Sequence, residues 1–229
     1  MNNHLKITTL AAAIVLTSVF SNEAFAVDGL SANAAFSSNY LWRGITQTNN
    51  ASAVSGGIDY VSKSGFYAGT WISTINFGDA ASYESDFYFG VAGDLGKGVG
   101  YDIGYLYYAY PDSTNIDPSN KYNFGELYGK LSYQYFTFSA NYGVNHQINA
   151  KWADKSLYLT ADVDYPLADD ITLSAHIGDY RYKGNFSSDN YVDYHLTLSK
   201  AGFTFGIYNT NKPNDSAKLV LSYTVDINL

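Results

Sequence analysis

The sequence contains no cysteine, few basic residues and, after residue 26, no apolar run of about 18 residues or more. Without cysteine, disulfides and thiolate metal sites are excluded, so stability has to come from backbone pairing or from a core. Without a long apolar run, transmembrane helices are excluded. Lysine and arginine total 13 against 21 acidic residues, and the net charge of −8 argues against nucleic acid and against a basic patch for anionic lipid.

The first 26 residues have the layout of a secretory signal peptide. Lys6 provides a positive start, residues 10–20 form an apolar core, and residues 24–26 read Ala-Phe-Ala, a cleavage site. The apolar core is too short to span a bilayer. We therefore predict that residues 1–26 are a signal peptide that directs export through the inner membrane of a Gram-negative bacterium, and that residues 27–229 form a single domain.

What the chain has in abundance is aromatic side chains, which make up 17% of it and include 23 tyrosines, together with 20 glycines. Apolar and polar residues alternate over many stretches. Phe87 and Phe89, for example, alternate with Asp86 and Tyr88, and a similar alternation runs from residue 219 to the C terminus. This combination is typical of β-strands that face lipid on one side and a polar lumen on the other.

Short turns and longer polar loops follow one another in strict order along the chain. The short turns lie at 62–65, 96–98, 135–136, 166–170 and 199–202, and the longer loops at 44–50, 78–83, 111–122, 146–155, 183–189 and 211–216. Five turns and six loops make eleven connections, and hence twelve antiparallel strands. The regular order favours a transmembrane outer-membrane β-barrel over a soluble β-sandwich, with both termini periplasmic and the long loops outside.

Aromatic residues near the strand ends are predicted to form the two girdles of such a barrel, where it meets the edges of the bilayer. The residues predicted to face lipid near the periplasmic turns are Tyr60, Tyr67, Tyr101, Tyr133 and Tyr165, and those near the outer mouth are Tyr40, Trp42, Tyr107 and Tyr142. We expect outer-membrane lipid and the barrel assembly machinery as partners. The last strand ends in Leu229, where outer-membrane proteins commonly have an aromatic residue.

Several motifs resemble one bacterial family. The stretch from Asn39 to Thr48 reads NYLWRGITQT and is followed by residues 57–60, GIDY, and residues 65–71, GFYAGTW. Further matches are Glu84-Ser-Asp86 with Tyr88 and Gly90, Tyr108-Ala-Tyr-Pro111, and Glu126-Leu-Tyr-Gly129. These motifs, spread over nearly the whole chain after residue 26, resemble the TorF family of proteobacterial porin-like proteins. The resemblance implies an outer-membrane barrel and a channel, without an established substrate.

The alternation assigns a set of chemistry-bearing residues to the outer half of the lumen. Arg43 is predicted at the outer end of the first strand, on its polar face. The complete set of candidate constriction residues is Arg43, Glu84, Asp86, Tyr108, Tyr110, Glu126, Tyr128 and Asp193. One arginine would then face several carboxylates, as either a charged constriction for solutes or an interior ion-pair network.

The predicted lumen as a whole is acidic. Its ten carboxylates are Asp59, Glu84, Asp86, Asp94, Asp102, Glu126, Asp162, Asp164, Asp193 and Asp226, against the three basic residues Arg43, Lys130 and Lys218. A water-filled lumen with this excess would favour cations. The alternative interpretation places Asp94, Asp102 and Asp226 at the periplasmic rim as solvated strand ends.

Ser174 and His176 share one face of a predicted strand, as the nucleophile and base of outer-membrane lipases do. Here the pair is predicted to face the lumen while Leu173 and Ile177 face lipid. A lipolytic enzyme is therefore the least favoured interpretation. His176 and His195 are predicted to approach each other on neighbouring strands, where hydrogen bonding is favoured over metal binding. We predict no catalytic residue, no metal and no cofactor.

The sequence therefore predicts a monomeric porin-like channel through which small hydrophilic solutes diffuse. The alternative is a closed barrel, filled by its own tyrosines and ion pairs, with a structural or adhesive role at the cell surface. Twelve strands lie between the roughly eight that side chains fill and the roughly sixteen that leave an open channel, so strand number does not decide. The sequence does not decide whether a loop folds inward, and loop 111–122 is the candidate for such a constriction only because it is the longest.

Overall fold

The computed structural model describes residues 28–78, 81–114, 119, 121–168 and 170–229. The predicted signal peptide lies outside the described residues. The strands are β1 (Leu30–Ser37), β2 (Leu41–Trp42), β3 (Ile45–Thr46), β4 (Ala53–Val61), β5 (Phe66–Thr74), β6 (Tyr83–Asp94), β7 (Val99–Ala109), β8 (Phe124–Tyr133), β9 (Phe136–His146), β10 (Leu157–Ala168), β11 (Ile171–Arg181), β12 (Tyr191–Lys200), β13 (Phe203–Thr210) and β14 (Lys218–Asn228). Two short 3-10 helices span Ile148–Ala153 and Gly184–Asp189. Over the part of the chain so described, no helix has the length and apolar character to cross a membrane.

Twelve of these strands form one closed antiparallel barrel. Each barrel strand pairs with the next one along the chain, β1 pairing directly with β4, and the pairing of β1 with β14 closes the ring. Closure satisfies the backbone groups that an open sheet edge would leave unpaired. The predicted all-β barrel of twelve antiparallel strands is confirmed.

The connections differ sharply between the two ends of the barrel. At one end, five connections of two to four residues follow β4, β6, β8, β10 and β12, and the start of β1 and the end of β14 lie at this end. At the other end, the six connections are at least seven residues long. The predicted order of short turns and long loops is therefore present, with boundaries within about three residues of those expected except at the first loop, which begins after Ser37 and not at residue 44.

Side chains alternate between the two faces of the wall. Phe87 and Phe89 are each 53% exposed on the outer surface, while Asp86 and Tyr88 between and beside them are buried in the interior. The outward aromatic residues predicted for the girdles include Tyr60, Tyr133, Tyr142 and Tyr165, all exposed, and Tyr101 and Tyr107, half-buried. The barrel thus has an apolar outer surface and a lumen lined by polar and aromatic groups.

Tyr67 is the exception on the wall, because it was predicted to face lipid and instead faces the lumen. It is only 1% exposed, and its hydroxyl donates to Asp102 at 2.5 Å and also hydrogen-bonds Tyr128. On β5 the outward Phe66 and Ile72 alternate with inward aromatic residues, so both faces are apolar. Hydrophobicity alone therefore cannot fix which face of this strand points inward.

Tyr40 and Trp42 also depart from the prediction that they face lipid near the outer mouth. The first strand ends at Ser37, where the backbone N–H of Ser38 still donates to Leu221 at 2.8 Å, and the chain then leaves the wall. Tyr40 is buried, with its hydroxyl donating to Glu84 at 2.7 Å inside the barrel. The apparent alternation after Ser37 belongs to a segment that folds into the lumen.

Candidate functional site

The segment that leaves the wall returns through the lumen as a small β-hairpin. Leu41 pairs with Thr46 and Trp42 with Ile45. The two turn residues between them, Arg43 and Gly44, have φ of 49° and 77°, the positive values that a two-residue type I′ turn needs. We call residues 41–46 the lumen hairpin.

Gly44 is required at its position for two reasons. Its positive φ favours glycine, and a Cβ atom there would lie 2.7 Å from Cγ2 of Thr210 and 2.8 Å from Cβ of Asp193. The hairpin tip therefore contacts the wall where β12 and β13 approach the long-loop end. Arg43, the other turn residue, is thus held by the hairpin and not, as predicted, by the first strand of the wall.

Side chains of the NYLWRGITQT stretch hold the base of the hairpin together. The side-chain oxygen of Asn39 accepts hydrogen bonds from the hydroxyls of Thr46 at 2.7 Å and Thr48 at 3.1 Å. The backbone N–H of Gln47 donates to the carbonyl of Tyr40 at 2.7 Å. The motif that carries the family resemblance is therefore the one that builds this inward hairpin.

Arg43 lies in a buried cage at the hairpin tip. Its Nη2 donates to Oε2 of Glu126 at 2.5 Å, and its guanidinium carbon lies 4.3, 4.2 and 4.6 Å from the ring centres of Trp42, Tyr158 and Tyr180. The side chain of Arg43 is 6% exposed and that of Glu126 1%. A buried guanidinium between aromatic faces and a carboxylate is held by both cation–π attraction and an ion pair.

Two further carboxylates lie on the same side of the lumen as Glu126. Glu84 and Asp86, on the inward face of β6, are 1% and 3% exposed. Oδ1 of Asp86, Oε1 of Glu126 and Nη1 of Arg43 have no hydrogen-bond partner among the described residues. One guanidinium therefore faces three buried carboxylates, and the cluster contains more acceptors than its own donors satisfy.

Aromatic side chains surround this charged cluster. Tyr108 is stacked on Phe124 with ring centres 4.3 Å apart, and its hydroxyl lies 3.4 Å from Nε1 of Trp42 and 3.5 Å from Oε2 of Glu126. Tyr110, just beyond β7, is buried and hydrogen-bonds Glu84. Six of the eight predicted constriction residues therefore meet in one cluster, namely Arg43, Glu84, Asp86, Tyr108, Tyr110 and Glu126.

The other two predicted constriction residues belong to neighbouring clusters. Tyr128 points into the lumen toward the short-turn end, where its hydroxyl hydrogen-bonds Tyr67 beside the ion pair of Asp102 and Lys130, 3.1 Å apart. Asp193, 2% exposed on β12, accepts a hydrogen bond from the hydroxyl of Tyr158 at 3.0 Å. Tyr158 also contacts the Arg43 guanidinium, so the Asp193 cluster adjoins the hairpin tip.

His176 is fixed between two carboxylates. Its Nδ1 lies 2.5 Å from Oδ1 of Asp162, its Nε2 lies 3.1 Å from Oδ1 of Asp193, and its ring is stacked on His195 with centres 4.6 Å apart. The predicted approach of the two histidines is confirmed, since they are direct partners across β11 and β12. Both nitrogens of His176 are thus already engaged with protein groups.

Ser174 does not act on His176 in this arrangement. Its hydroxyl donates to Oδ1 of Asp164 at 2.5 Å, so the serine and the histidine are not paired as nucleophile and base. The described residues include no group of three or more His, Asp or Glu side chains with the geometry of a metal site.

Sequence reasoning missed Trp42 and Trp152 as lumen residues. Trp42 makes edge-to-face contacts with four rings, those of Tyr108, Phe124, Trp152 and Tyr180, at 5.7 to 6.0 Å between centres. Trp152 enters from the helix Ile148–Ala153. The sequence signal for the inward position of Trp42 was the Arg-Gly pair that follows it, because this pair favours a turn with positive φ. Such a turn ends the strand that the alternation predicted.

The first long connection therefore folds inward as the lumen hairpin. Residues 115–118 and 120 of the predicted constriction 111–122 lie outside the described residues. Of its described part, Tyr122 contacts Phe77 and Tyr110, and Tyr110 belongs to the charged cluster. The hairpin and its contacts fill the outer half of the lumen, because inward side chains there, from Trp71 on β5 to Asp193 on β12, are less than a tenth exposed.

Above the hairpin, a cavity of about 570 Å³ opens between the long loops. Residues from all six long connections or the strand ends beside them line it, and nine of its fourteen lining residues are aromatic. Its polar residues are Gln47, Asn149, Asp189 and Lys212. We call this cavity the outer vestibule.

Among solved structures, the KdgM porin has a similar fold, with a TM-score of 0.55 and 11% identity over 87% of this chain and 99% of that chain. The KdgM porin in complex with disordered oligogalacturonate gives a TM-score of 0.53 and 10% identity over 87% of this chain and 98% of that chain. Identities this low establish the fold alone. No curated protein sequence matches the chain.

The sequence itself matches one family over most of its length. The matched family is described as a bacterial protein of unknown function, Gcw_chp, and the match extends over residues 21–224. It includes the lumen hairpin and every barrel strand up to the middle of β14. The chain belongs to the Gcw_chp family of bacterial proteins of unknown function.

Proposed function

We propose that this protein is a porin-like channel of the outer membrane that passes small hydrophilic solutes and favours cations over anions, with the lumen hairpin as its constriction. A porin fold supports the channel, and the TorF resemblance of its motifs points the same way. The observation that carries the charge preference is the single Arg43 guanidinium facing Glu84, Asp86 and Glu126 in the lumen. The protein is exported by residues 1–26, inserted as a monomer by the barrel assembly machinery, and surrounded by outer-membrane lipid.

The balance of charge along the whole lumen supports a preference for cations. Of the ten predicted carboxylates, eight are buried or half-buried, while Asp94 and Asp164 are exposed. The basic side chains are few and already paired, Arg43 with Glu126, Lys130 with Asp102 and Lys218 with Asp215. An excess of negative charge in a low-dielectric channel lowers the energy of a passing cation and raises that of an anion.

The same charge balance separates this protein from the complex that shares its fold. Oligogalacturonate, present in the KdgM complex, is a polyanion. An anionic chain of that kind would meet Glu84, Asp86 and Glu126 beside the lumen hairpin, where like charges repel. The proposed solutes are therefore cationic or neutral.

A second candidate function is the closed barrel with a structural or adhesive role. The packing that favours it is in the outer half of the lumen, where Tyr108, Glu126, Tyr158 and Tyr180 are each at most 6% exposed around the hairpin. A channel has to move the hairpin to conduct, whereas a closed barrel keeps it in place. The two proposals therefore differ in whether removal of the hairpin contacts opens a path.

Single-channel conductance in planar bilayers tests the proposal. Arg43→Ala removes the guanidinium that bridges the hairpin to Glu126, so we expect larger conductance and stronger cation preference, read from reversal potentials under a salt gradient. The matched control is Arg181→Ala, since Arg181 is the other arginine of the chain and its pair with Asp179 is exposed on the surface. Conductance of the control should equal that of the wild type.

A charge-neutralising double variant tests the sign of the preference. Glu84→Gln combined with Asp86→Asn leaves Arg43 with one carboxylate, so we expect the reversal potential to shift toward anions. If folded wild type and Arg43→Ala barrels both fail to conduct, the channel is wrong and the closed barrel is favoured. If they conduct without charge preference, the channel stands and the role of the carboxylates is wrong.

A further inference from the structure

We infer that the outer vestibule is a binding site for a neutral saccharide. The inference rests on the proposed channel function in one respect, because it names the class of solute that is collected before it reaches the constriction. It goes beyond that function in assigning a binding step to the cavity between the loops, which adjoins the charged cluster around Arg43 and shares Trp42 and Tyr110 with it.

The size and lining of the vestibule fit a small ring-shaped solute. Its volume of about 570 Å³ lies within the usual range of small-molecule sites. Trp152 meets Trp42 and Tyr182 edge to face, with interplanar angles of 67° and 85°, so the aromatic lining is a set of steeply inclined rings rather than a flat stack. The apolar C–H faces of a sugar ring pack against the electron-rich faces of such side chains.

The polar residues of the vestibule fit hydroxyl groups. Gln47 and Asn149 each contribute an amide, which both donates and accepts hydrogen bonds, while Asp189 only accepts and Lys212 only donates. The two charged residues have opposite signs, so the lining has no net charge. A solute with many hydroxyl groups and no charge of its own can use all four side chains.

A cationic solute is disfavoured because the chain's own cations already occupy aromatic faces here. The Arg43 guanidinium lies 4.3 Å from the ring of Trp42, which forms part of the lining. Nζ of Lys212 lies 4.7 Å from the ring centre of Tyr191. A second cation at either ring would be repelled by the first.

An anionic solute is disfavoured by the opposite charges. Asp189 is in the lining, and the carboxylate of Glu84 hydrogen-bonds Tyr110, another lining residue. Lys212 is the one basic lining residue. These arguments together leave a neutral polyhydroxylated ring compound as the class that meets favourable contacts on every side.

Binding is measured by isothermal titration calorimetry on the purified full-length mature barrel, kept in a detergent without a sugar headgroup, such as lauryldimethylamine oxide. The probes are the neutral trisaccharides maltotriose, cellotriose and raffinose, the anionic trigalacturonate, and the organic cation tetramethylammonium. We expect saturable binding of at least one neutral probe, at least about fivefold tighter than either charged probe. Tighter binding of trigalacturonate or tetramethylammonium would overturn the class proposed, as would no heat from any neutral probe up to about 50 mM.

Two tryptophan variants locate the binding site. Trp152→Ala removes a ring from the lining and should weaken neutral-sugar binding about tenfold. Trp71→Phe is the matched control, because Trp71 is buried on β5 away from the vestibule and its Nε1 has no hydrogen-bond partner that the substitution would remove. Equal affinities of the two variants would show that the sugar binds elsewhere and would overturn the assignment.

The calorimetric test of sugar binding does not depend on whether the barrel conducts ions. Sugar binding by a barrel that does not conduct in planar bilayers would leave the saccharide site standing and remove the channel. Conductance without binding of any neutral probe would leave the channel standing and remove the saccharide site.

Discussion

Two regions of the lumen wall, each built from the same alternating strands, fill the interior differently. Inward residues of β5 to β8 are bulky, and Tyr67, Trp71 and Tyr128 are 1%, 4% and 6% exposed. The strands β13 and β14, which we call the thinner wall, carry small and only half-buried inward residues such as Thr204 and Ser222 beside the larger Tyr208 and Val220. The size of the inward side chains, and not the number of strands, therefore decides where the lumen is packed.

The difference has a consequence for any solute path. The lumen hairpin is anchored to the bulky wall by the ion pair of Arg43 with Glu126, and its tip touches Asp193 and Thr210 at the start of the thinner wall. The rings of Tyr67, Trp71 and Tyr128 are buried, whereas Thr204 and Ser222 are partly exposed. We expect a path to follow the thinner wall once the hairpin tip has moved away from Asp193 and Thr210.

The largest effect is expected from a substitution that places a charge on the lipid-facing side of a strand, because both walls depend on apolar side chains there. Leu159 is 37% exposed on the outer face of β10, while the neighbouring Thr160 points inward and donates to Asp162 at 2.8 Å. Leu159→Arg should lower the free energy of unfolding by roughly 2–4 kcal/mol, because it places a charge in lipid. Thr160→Arg should fold normally, because its guanidinium has Asp162 as a partner.

Urea unfolding of both variants in lipid vesicles, compared with the wild type, provides the measurement. A larger loss of stability in Thr160→Arg than in Leu159→Arg would mean that β10 has the opposite register from the one described, and equal losses would mean that the two faces of β10 do not differ as described.

The next largest effect concerns the hairpin that spans the two walls. Gly44→Ala places a methyl group against Thr210 and Asp193 in a backbone conformation with φ of 77°, so it should cost about 1–3 kcal/mol of stability in the hairpin. We expect the hairpin to lose its contacts with the wall before the barrel unfolds. The measurement is the rate of proteolysis within the first long connection, which should increase. A control substitution in the same long connection, Ser52→Ala at an exposed position, should leave the proteolysis rate unchanged.

Wild-type proteolysis rates in Gly44→Ala would mean that the wall yields to the added methyl group and that the close contact at Gly44 does not hold the hairpin.

How far the sequence predicts this molecule depends on the contrast between the two faces of each strand. On β6, Phe87 and Phe89 stand against Asp86, and the inward face was predicted correctly. On β5 both faces are apolar, and Tyr67 was assigned to the wrong one. Period-two alternation predicts the inward face of a strand where apolar side chains face lipid and polar side chains face the lumen. It does not predict the inward face where the lumen is packed with the same apolar side chains that lipid favours.

The candidate site shows the same limit. Glu84, Asp86 and Glu126 were predicted as a cluster because each lies on a polar strand face. The hairpin around Arg43 was not predicted, since its alternation in sequence matches that of a strand and only the turn geometry distinguishes the two. Which loop folds inward depends on contacts such as those of Trp42 with Trp152, which join segments distant in sequence.

A smaller effect separates the two walls directly. The chain has no cysteine, so single cysteines report on their own positions. Ser73 and Ser222 both point inward, but Ser73 on the bulky wall is 2% exposed while Ser222 on the thinner wall is half-buried. We expect Ser222→Cys to react with a small water-soluble thiol reagent at least about tenfold faster than Ser73→Cys, because reaction requires access of water and reagent.

Ser187→Cys, on the exposed outer helix Gly184–Asp189, gives the upper limit of the reaction rate. Similar rates at Ser73 and Ser222 would remove the distinction between the two walls.

The smallest effect expected is at the outer edge of the thinner wall, where Asp215 joins β13 to β14. Its carboxylate accepts hydrogen bonds from Lys218 and Thr210, both at 2.6 Å. Burial raises the pKa of Asp215, but these hydrogen bonds and the charge of Lys218 lower it by more than burial raises it. The pKa of Asp215 therefore lies below its usual value. The folded state therefore gains stability above the unfolded pKa of about 4 and loses it as pH falls through the lowered value.

Asp215→Asn should accordingly lower the free energy of unfolding by about 0.2–1 kcal/mol at pH 7, and the difference from wild type should disappear at low pH. The matched control lies at the opposite end of the barrel, where Asp28 and Lys63 form a pair with side chains 80% and 90% exposed. Asp28→Asn should leave stability unchanged within error, because water screens an exposed pair. Urea unfolding at pH 7 and near pH 3 measures both variants, and a loss for Asp215→Asn that persists at the lower pH would mean that packing, and not the ionised carboxylate, holds this edge.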